Sequence, residues 1–502
     1  MKKMLMNLIL FASAGAFMMS CESTQEIKTV QLPVTSDPTV SFRLWVKVGS
    51  QNDPAGKEGL AALTAAMIAE GATDSNSYEQ ILAKLYPMAA SYSAQVDKEM
   101  TVFIGRTHKD NLDKYAKLLQ EAILSPAFKE EDFNRIKSDV LNYLERTLRY
   151  ADDEEFGKEA LSQFIFAGTP YAHPLDGTIE SVKAMTLADV VAFYKSYYTR
   201  GNLVLGIGGG YDRSFLVRFT ETLAKLPTGN TTEAVKPAAP PINGLEVLLV
   251  EKTTASMAIS FGFPIDLLRS NSKDFYALWL ANSWLGEHRN SSSHLYQVIR
   301  EKRGMNYGDY SYIENYPHSN HSQFPPPNVA RRQQIFQVWI RPVQNNVRQF
   351  ALRAAVRELA NLVQNGMTQA DFDLTRQFLK NYYLNYSPTT DSRLGYKLDD
   401  VFYHLQPGFL DEFARMMDAL TLADVNAAIH KYLQAENMKI VMITQDAASL
   451  KNDLVNNTIS AMNYAAPKPE EVLAEDKEIE KYPLQIRPEK VTIRQVDEMF
   501  VK

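Results

Sequence analysis

The sequence SSHLYQVIREKRGMNY, residues Ser292–Tyr307, decides how the second half of the chain is expected to fold. Its apolar residues are spaced at i, i+3 and i+4 and so share one face of a short helix: Leu295, Val298 and Ile299. Gly304 follows a basic last turn, where glycine commonly ends a helix. From residue 307 to residue 312, tyrosines alternate with small or polar residues as they would in a strand. The pattern predicts a helix, a turn and a strand that hold Arg300 near Tyr307.

This stretch resembles the LFQ-x-IREKRG-x-x-Y signature in the second half of the pitrilysin/insulinase family of zinc peptidases, the inverzincins. In that family an arginine and a tyrosine seven positions apart contact the substrate backbone near the zinc. Arg300 and Tyr307 match the pair, and the flanking residues match as well. The resemblance implies that both residues bind substrate. The alternative is a surface helix with solvated charges, followed by a strand with ordinary aromatic residues.

Length and composition set the class of protein. A chain of 502 residues is too long for one core and indicates two to four domains. With 22% charged residues, a net charge of −6 and no basic tract, nothing indicates a nucleic-acid partner. A single cysteine excludes a disulfide within the chain and a cysteine-rich metal site.

The N-terminus is typical of an exported protein. Lys2 and Lys3 precede an apolar segment, Met4–Met19, that is too short for a spanning helix, so residues 1–21 are predicted to be a signal peptide. Cys21 directly after Ser20 resembles a bacterial lipoprotein cleavage site, where the cysteine is acylated. We therefore expect a protein of the periplasm or outer membrane, attached to the membrane by lipid. Plain secretion and an uncleaved anchor are the alternatives.

The body of the chain is predicted to be a duplication. Thr186-Leu-Ala-Asp-Val190 recurs 235 residues later as Thr421-Leu-Ala-Asp-Val425, and Asp132-Phe133 recurs after 239 residues as Asp371-Phe372. We predict an N-terminal domain at 28–226, a linker rich in proline and small polar residues at 227–243, a C-terminal domain at 244–466 and an arm at 467–502. The fold class is α+β. The resemblance implies two homologous α/β-sandwich domains, each a mixed sheet flanked by helices, in a clamshell arrangement.

The segment from Phe166 to Tyr211 resembles the closing part of the family's domain, with a loop, two helices and a strand. Its glycine run, Gly206–Gly210, lacks the spacing and the following helix of a dinucleotide fingerprint. We predict a strand end with a tight turn there.

Catalytic members of the family carry His-x-x-Glu-His on an early helix, where two imidazoles ligate zinc and the glutamate activates water. An alanine- and leucine-rich helix is predicted from Gly59, with Gly71 as its stop. Alignment on the flanking residues places Ala62, Ala65 and Ala66 at the motif positions. None of these side chains has a ligating atom.

Other ligands offer little replacement. The family's third ligand, a glutamate, falls near Asn142–Glu145, and Glu145 and the acids at 152–155 are expected to be solvated. His318 and His321 lie in a proline-rich loop, Asn315–Asn328. His108 and His173 lie in the first domain, and nothing in the sequence indicates that they come together. There is also no Gly-x-Ser-x-Gly elbow for a serine nucleophile.

These observations favour a non-catalytic, substrate-binding subunit of a heterodimeric zinc peptidase. The resemblance implies no cofactor in this chain, zinc in a homologous partner subunit, and peptides as substrates. A zinc-less structural or peptide-binding scaffold is the main alternative. The arginine/tyrosine pair argues against it, because a scaffold has no use for that pair. A self-sufficient peptidase with an unusual metal site is the third.

Replacing Cys21 with serine tests the lipid anchor, because no other cysteine offers an acylation site. We expect Cys21→Ser to move the protein from the membrane fraction to the soluble fraction after a salt wash, measured by immunoblotting. Continued sedimentation of the variant with membranes would show that lipid is not the anchor.

Overall fold

The computed structural model describes residues 26–233, 235–316 and 323–502. The predicted signal peptide with Cys21, and the histidine pair His318 and His321, lie outside the described residues.

The first half builds a five-stranded mixed sheet in the order β1-β5-β2-β4-β3. Only the β1–β5 pair is parallel. The strands are β1 Lys28–Pro33, β2 Thr39–Val46, β3 Ser91–Val96, β4 Thr101–His108 and β5 Leu203–Gly209. The helices are α1 Leu60–Glu70, α2 Tyr78–Leu85, α3 Leu112–Leu124, α4 Glu130–Asn142, α5 Asp153–Ile165, α6 Ile179–Ala184, α7 Leu187–Tyr197 and α8 Arg213–Leu223. A π-helical segment, Tyr143–Ala151, continues α4.

The second half builds a six-stranded sheet in the order β11-β6-β10-β7-β9-β8. Its strands are β6 Leu245–Glu251, β7 Ser256–Ile265, β8 Asp309–Tyr312, β9 Gln334–Gln344, β10 Met438–Thr444 and β11 Val491–Gln495. Its helices are α9 Lys273–Gly286, α10 Arg348–Asn365, α11 Gln369–Tyr382, α12 Thr390–Phe402, α13 Phe409–Ala419, α14 Leu422–Tyr432, α15 Ala447–Val455 and α16 Glu470–Ile479. A π-helical turn, Tyr296–Glu301, precedes β8.

The two halves repeat one fold, as the sequence predicted. Apart from the added β11, both sheets have the same strand order when the strands are matched by their place in each half. The recurring pentapeptides also have the same structural role, which is to cap a helix. Thr186 and Thr421 cap α7 and α14 by accepting from the backbone N–H of Asp189 and Asp424. The predicted class, two mixed-sheet α/β domains, is confirmed.

The domains exchange one helix each across their interface. Helix α5 of the first domain packs on β7 and β10 of the second sheet, and α12 of the second domain packs on β2 and β5 of the first. A Cβ atom built on Gly206 would lie 2.6 Å from Leu398 Cδ1, and one on Gly157 would lie 3.1 Å from Ser260 Oγ. Glycine lets each helix approach the facing strand closely.

The glycine run was therefore only partly understood from sequence. A tight turn does follow β5, where Gly209 has a φ of +107°. Gly206 and Gly208, however, lie within the buried strand and face α12, because a Cβ at Gly208 would come within 3.0 Å of Thr390. The prediction of a strand end missed this packing role.

Ion pairs join the two domains. Arg331 Nε lies 2.6 Å from Asp97 Oδ1 with both side chains buried, and Arg43 Nη2 lies 2.7 Å from Asp391 Oδ2. The acidic run at 152–155 contributes as well. Asp153 pairs with Lys252, and Glu154 lies 2.8 Å from Arg341, so the expectation of solvated acids is wrong for these two residues.

The C-terminal segment belongs to both domains. Strand β11 adds to β6 in parallel and so extends the second sheet. Beyond it, the carbonyl of Phe500 accepts from Ile179 N–H at 3.0 Å, and that of Met499 accepts from Arg149 Nε at 3.0 Å. The Phe500 ring packs edge-on against Phe156. The last residues therefore fasten the second domain's sheet to the first domain.

Among the described residues, none of the helices combines the length and apolar character needed to cross a membrane.

The buried Asp97–Arg331 pair offers a test of the domain interface. Arg331→Met removes the cation and leaves a buried carboxylate, which costs about 3–5 kcal/mol of folding free energy in comparable pairs. We expect a markedly lower urea midpoint. Arg415→Met is the control, because its pair with Glu412 is exposed on the arginine side and such pairs contribute about 0–1 kcal/mol. Equal midpoints for the two variants would contradict a stabilising interface pair.

Candidate functional site

The helical turn that carries Arg300 has the predicted amphipathic character. Leu295, Val298 and Ile299 are fully buried in the second domain's core. The turn is π-helical rather than α-helical and ends at Glu301, three residues before Gly304. Gly304 has a φ of +69° and donates its N–H to the Arg300 carbonyl at 2.6 Å. The apolar face therefore anchors the turn, and Arg300 lies on its outer side.

Tyr307 is not part of the strand that the sequence predicted. Strand β8 begins at Asp309. The preceding loop is fixed by Asn306, whose buried amide donates to Asp309 Oδ1 at 2.8 Å and to the carbonyl of Arg341 at 3.2 Å. These bonds hold the chain in a turn before it can pair. Tyr307 projects from that loop and is 80% exposed.

The arginine/tyrosine pair makes few contacts within the chain. The Arg300 side chain is about one-third exposed, and its guanidinium lies 3.7 Å from Glu301. In the part of the chain that the structure describes, the buried Arg300 Nε has no hydrogen-bond partner. The fold positions the pair on one anchored turn and loop, but it does not join the two side chains to each other.

The helix of the lost zinc motif forms as predicted. Helix α1 ends at Gly71, and the buried Asp53 carboxylate caps its start by accepting from the N–H groups of Gly59 and Ala61, both at 2.7 Å. Burial raises the Asp53 pKa to about 7. Ala65 is buried, while Ala62 and Ala66 are half-buried.

Ala66 lines a cavity of about 440 Å³ between the two domains. Charged side chains from both domains surround it: Glu70, Lys98, Asp139, Glu155, Lys158, Glu159, Asp176 and Arg331. Burial raises the pKa of Glu159 to about 7 and that of Asp176 to about 6. It lowers the pKa of Lys98 to about 8, against the opposing charge of Glu159.

The expected third ligand does not face this cavity. Glu145 points outward and pairs with Lys183 at 2.6 Å. Tyr143 lines the cavity instead. Two positions along a helix turn a side chain to nearly the opposite side, so a shift of two residues exchanges an inward tyrosine for an outward glutamate.

The histidines of the first domain are also far from forming a metal site. His108 is half-exposed beside Asp110. The His173 ring lies against the carbonyls of Ser50 and Pro174, and burial lowers its pKa to about 4. Within residues 26–233, 235–316 and 323–502, no group of three or more histidine, cysteine, aspartate or glutamate side chains is arranged to hold a metal ion. The residues at the motif positions do not fit zinc.

Sequence reasoning missed most of the cavity lining. Lys158 and Glu159 lie on α5, whereas Trp339 lies on β9, 181 and 180 residues further along the chain. Only the exchange of α5 between the domains brings these side chains together. The one available signal was the acidic and basic character of α5 at positions that would otherwise belong to a buried helix face.

Comparison with known proteins places the chain in a family. A model described as insulinase, peptidase family M16, matches residues 29–179, and one described as the peptidase M16 inactive domain matches residues 184–379. The chain belongs to the insulinase family, M16, as an inactive member that lacks the zinc ligands.

Individual relatives agree with this assignment. An uncharacterized zinc protease of Rickettsia bellii is 25% identical over 292 residues, which are 58% of this chain and 68% of that protein. The Helicobacter pylori protein named non-peptidase homolog YmxG is 23% identical and is aligned over 88% of this chain and 99% of its own. The crystal structure of a peptidase M16 inactive domain from Pseudomonas fluorescens superposes with a TM-score of 0.73 at 25% identity, covering 84% and 96% of the two chains.

Metal analysis tests the reading of α1. We expect the purified mature chain to retain well under one zinc per chain after dialysis, because three methyl groups replace the motif side chains. The variant Ala62→His/Ala66→His places two imidazoles at i and i+4 and should gain zinc affinity by titration. One tightly held zinc in the unmodified chain would contradict this reading.

Proposed function

We propose that this chain is the non-catalytic, substrate-binding subunit of a heterodimeric zinc peptidase that degrades peptides outside the cytoplasm. The observation that carries the proposal is a contrast within one chain. The motif helix is intact but has lost every ligand, whereas the arginine/tyrosine pair is kept, with Tyr307 exposed and Arg300 about one-third exposed. Zinc and the water-activating glutamate would then come from a homologous partner subunit.

The exposure of Tyr307 supports a role between chains. A tyrosine that is 80% exposed contributes little to its own domain's core, yet the loop beneath it is fixed by the bonds of Asn306. Fixing a loop restricts the side chain that it carries, and this is useful for a group that must meet a substrate at a defined place.

The physical role of the pair follows from its chemistry. A guanidinium and a phenol are hydrogen-bond donors, and donors fixed beside a substrate carbonyl stabilise the charge that develops on its oxygen. Arg300 and Tyr307 would do this at the partner's zinc. This chain's own residues therefore bind and orient the peptide, and the partner supplies bond cleavage.

The proposed location rests on the N-terminal sequence. A signal peptide cleaved before Cys21 would export the chain, and acylation of Cys21 would attach it by lipid to a membrane of the periplasmic space. A zinc-less scaffold without proteolytic role is the competing function, and the name of the Helicobacter pylori relative is compatible with it.

Reconstitution with a His-x-x-Glu-His subunit distinguishes the two functions. For Tyr307→Phe, which removes the hydroxyl and leaves the ring, we expect turnover to fall on the order of a hundredfold, roughly 3 kcal/mol, with assembly unchanged. Arg300→Ala should be at least as severe, since it also removes the aliphatic stem.

The matched control is Tyr86→Phe, because Tyr86 is an exposed tyrosine of the first domain that has no place in the proposed site. It should cleave at the rate of the unmodified complex. If the Tyr307→Phe complex assembles and cleaves at the same rate as the control, the scaffold function is the better account.

A further inference from the structure

Lys158 lacks the partners that a buried cation normally has. Only 9% of the residue is exposed to solvent, and its Nζ atom makes no hydrogen bond within the described part of the chain. Its Nζ atom lies 3.7 Å from the centroid of the Trp339 ring. A cation–π contact compensates part of the lost hydration, but it leaves all three N–H donors without acceptors.

Trp339 lacks an acceptor in the same place. The side chain is 5% exposed, and its indole Nε1 also has no hydrogen-bond partner among the described residues. Buried polar groups are satisfied in the great majority of cases, and each exception requires an explanation. Two unsatisfied donors, one of them lying over the ring that carries the other, define a place that lacks an acceptor.

Both residues line the 440 Å³ cavity beside Ala66. Its volume lies within the ordinary range for small-ligand pockets. Its wall combines these two donors with apolar side chains from α4, its extension and the second sheet, including Ile136, Leu148 and Ile335. The cavity therefore has room for a ligand of a few residues and a polar end at which to bind it.

The charges around the cavity constrain the ligand. Glu155 is the acid that most favours the Lys158 ammonium, and Glu154 is already paired with Arg341. Glu159 and Asp176 have raised pKa values, so part of the acidic lining is protonated near neutral pH. An acceptor with two oxygens and one negative charge matches a cation and a neutral donor carried by two side chains that contact each other.

We propose that the cavity at the former metal position binds the free C-terminal carboxylate of a short peptide, with Lys158 and Trp339 as its donors. The carboxylate follows from the two donors, and the peptide part rests on the proposed function. The site lies in this chain alone and requires neither zinc nor the partner subunit. It is separate from the turn and loop of Arg300 and Tyr307.

Calorimetric titration of the mature chain tests the proposal with N-acetyl-alanyl-alanine and its C-terminal amide. The free acid should bind at least tenfold more tightly than the amide, because the amide has lost the charge that strengthens hydrogen bonds from Lys158. Equal binding of the two, or no binding of either, would overturn the proposal. If acetate bound as tightly as the dipeptide, the proposal that the ligand is a peptide would be overturned.

Two variants assign the donors. Lys158→Met keeps the length of the side chain and should abolish the preference for the free acid, while Trp339→Phe keeps a ring and should weaken acid binding several-fold. Lys183→Met is the control, since Lys183 is exposed and paired with Glu145 away from the cavity. Free-acid binding by Lys158→Met that equals the control's would overturn the assignment.

Stability supplies a readout that does not depend on the ligand. Removing an unpaired buried charge is neutral or stabilising, so the urea midpoint of Lys158→Met should equal or exceed that of the unmodified chain. A much lower midpoint would show that the lysine is structural and would overturn the proposal. These results leave the reconstituted cleavage assay untouched, so failure here and failure of the proposed function are distinguishable.

Discussion

The packing of α5 on the second sheet and of α12 on the first is the contact on which the rest of the structure depends. Each sheet is covered on one face by helices of its own domain and on the other by a helix of the opposite domain. Glycines at 157, 206 and 208 permit the close approach, and buried pairs such as Asp97–Arg331 fix the relative orientation. Neither domain completes its sandwich without the other.

The same contact creates the cavity. Helix α5 carries Lys158 and Glu159 to the interface, α1 contributes Ala66, and β9 contributes Trp339. In a zinc-bearing relative the corresponding helix would hold the metal at this position. Here the ligands are absent while Lys98, Lys158 and Arg331 remain buried around the cavity, which costs free energy unless each charge has a partner. Loss of the metal ligands and retention of a polar cavity are therefore separate properties of this chain.

The sequence pattern predicted a helix or strand well where interactions within that element determine its structure. Helix α1 followed from its alanine and leucine content and from Gly71, and the duplicated Thr-Leu-Ala-Asp segments cap α7 and α14 as their sequences indicate. Strand β1 was missed, since Lys28–Pro33 has a weak alternation and pairs only with β5, far along the chain. Tyr307 was assigned to a strand because alternation does not reveal the bonds of Asn306.

The residues of the candidate site were likewise predictable where a local motif marks them and not where distant parts of the chain meet. Ala62, Ala65, Ala66, Arg300 and Tyr307 were identified from the resemblance to the family's motifs, and the structure places three on α1 and two on one anchored turn and loop. Glu145 was considered because it is near the expected position, but the direction of its side chain depends on the π-helical continuation of α4. Lys158 and Trp339 could not be linked from sequence, because their contact arises only from the packing of α5 on the second sheet.

The most direct measurement of the central claim is peptide cleavage as a function of mixing ratio with a zinc-bearing M16 subunit from the same organism. We expect no cleavage by this chain alone and little by the zinc subunit alone. The rate should rise on mixing and reach a plateau at equimolar chains. Full activity of the zinc subunit by itself, or cleavage by this chain in a chelator, would contradict the account.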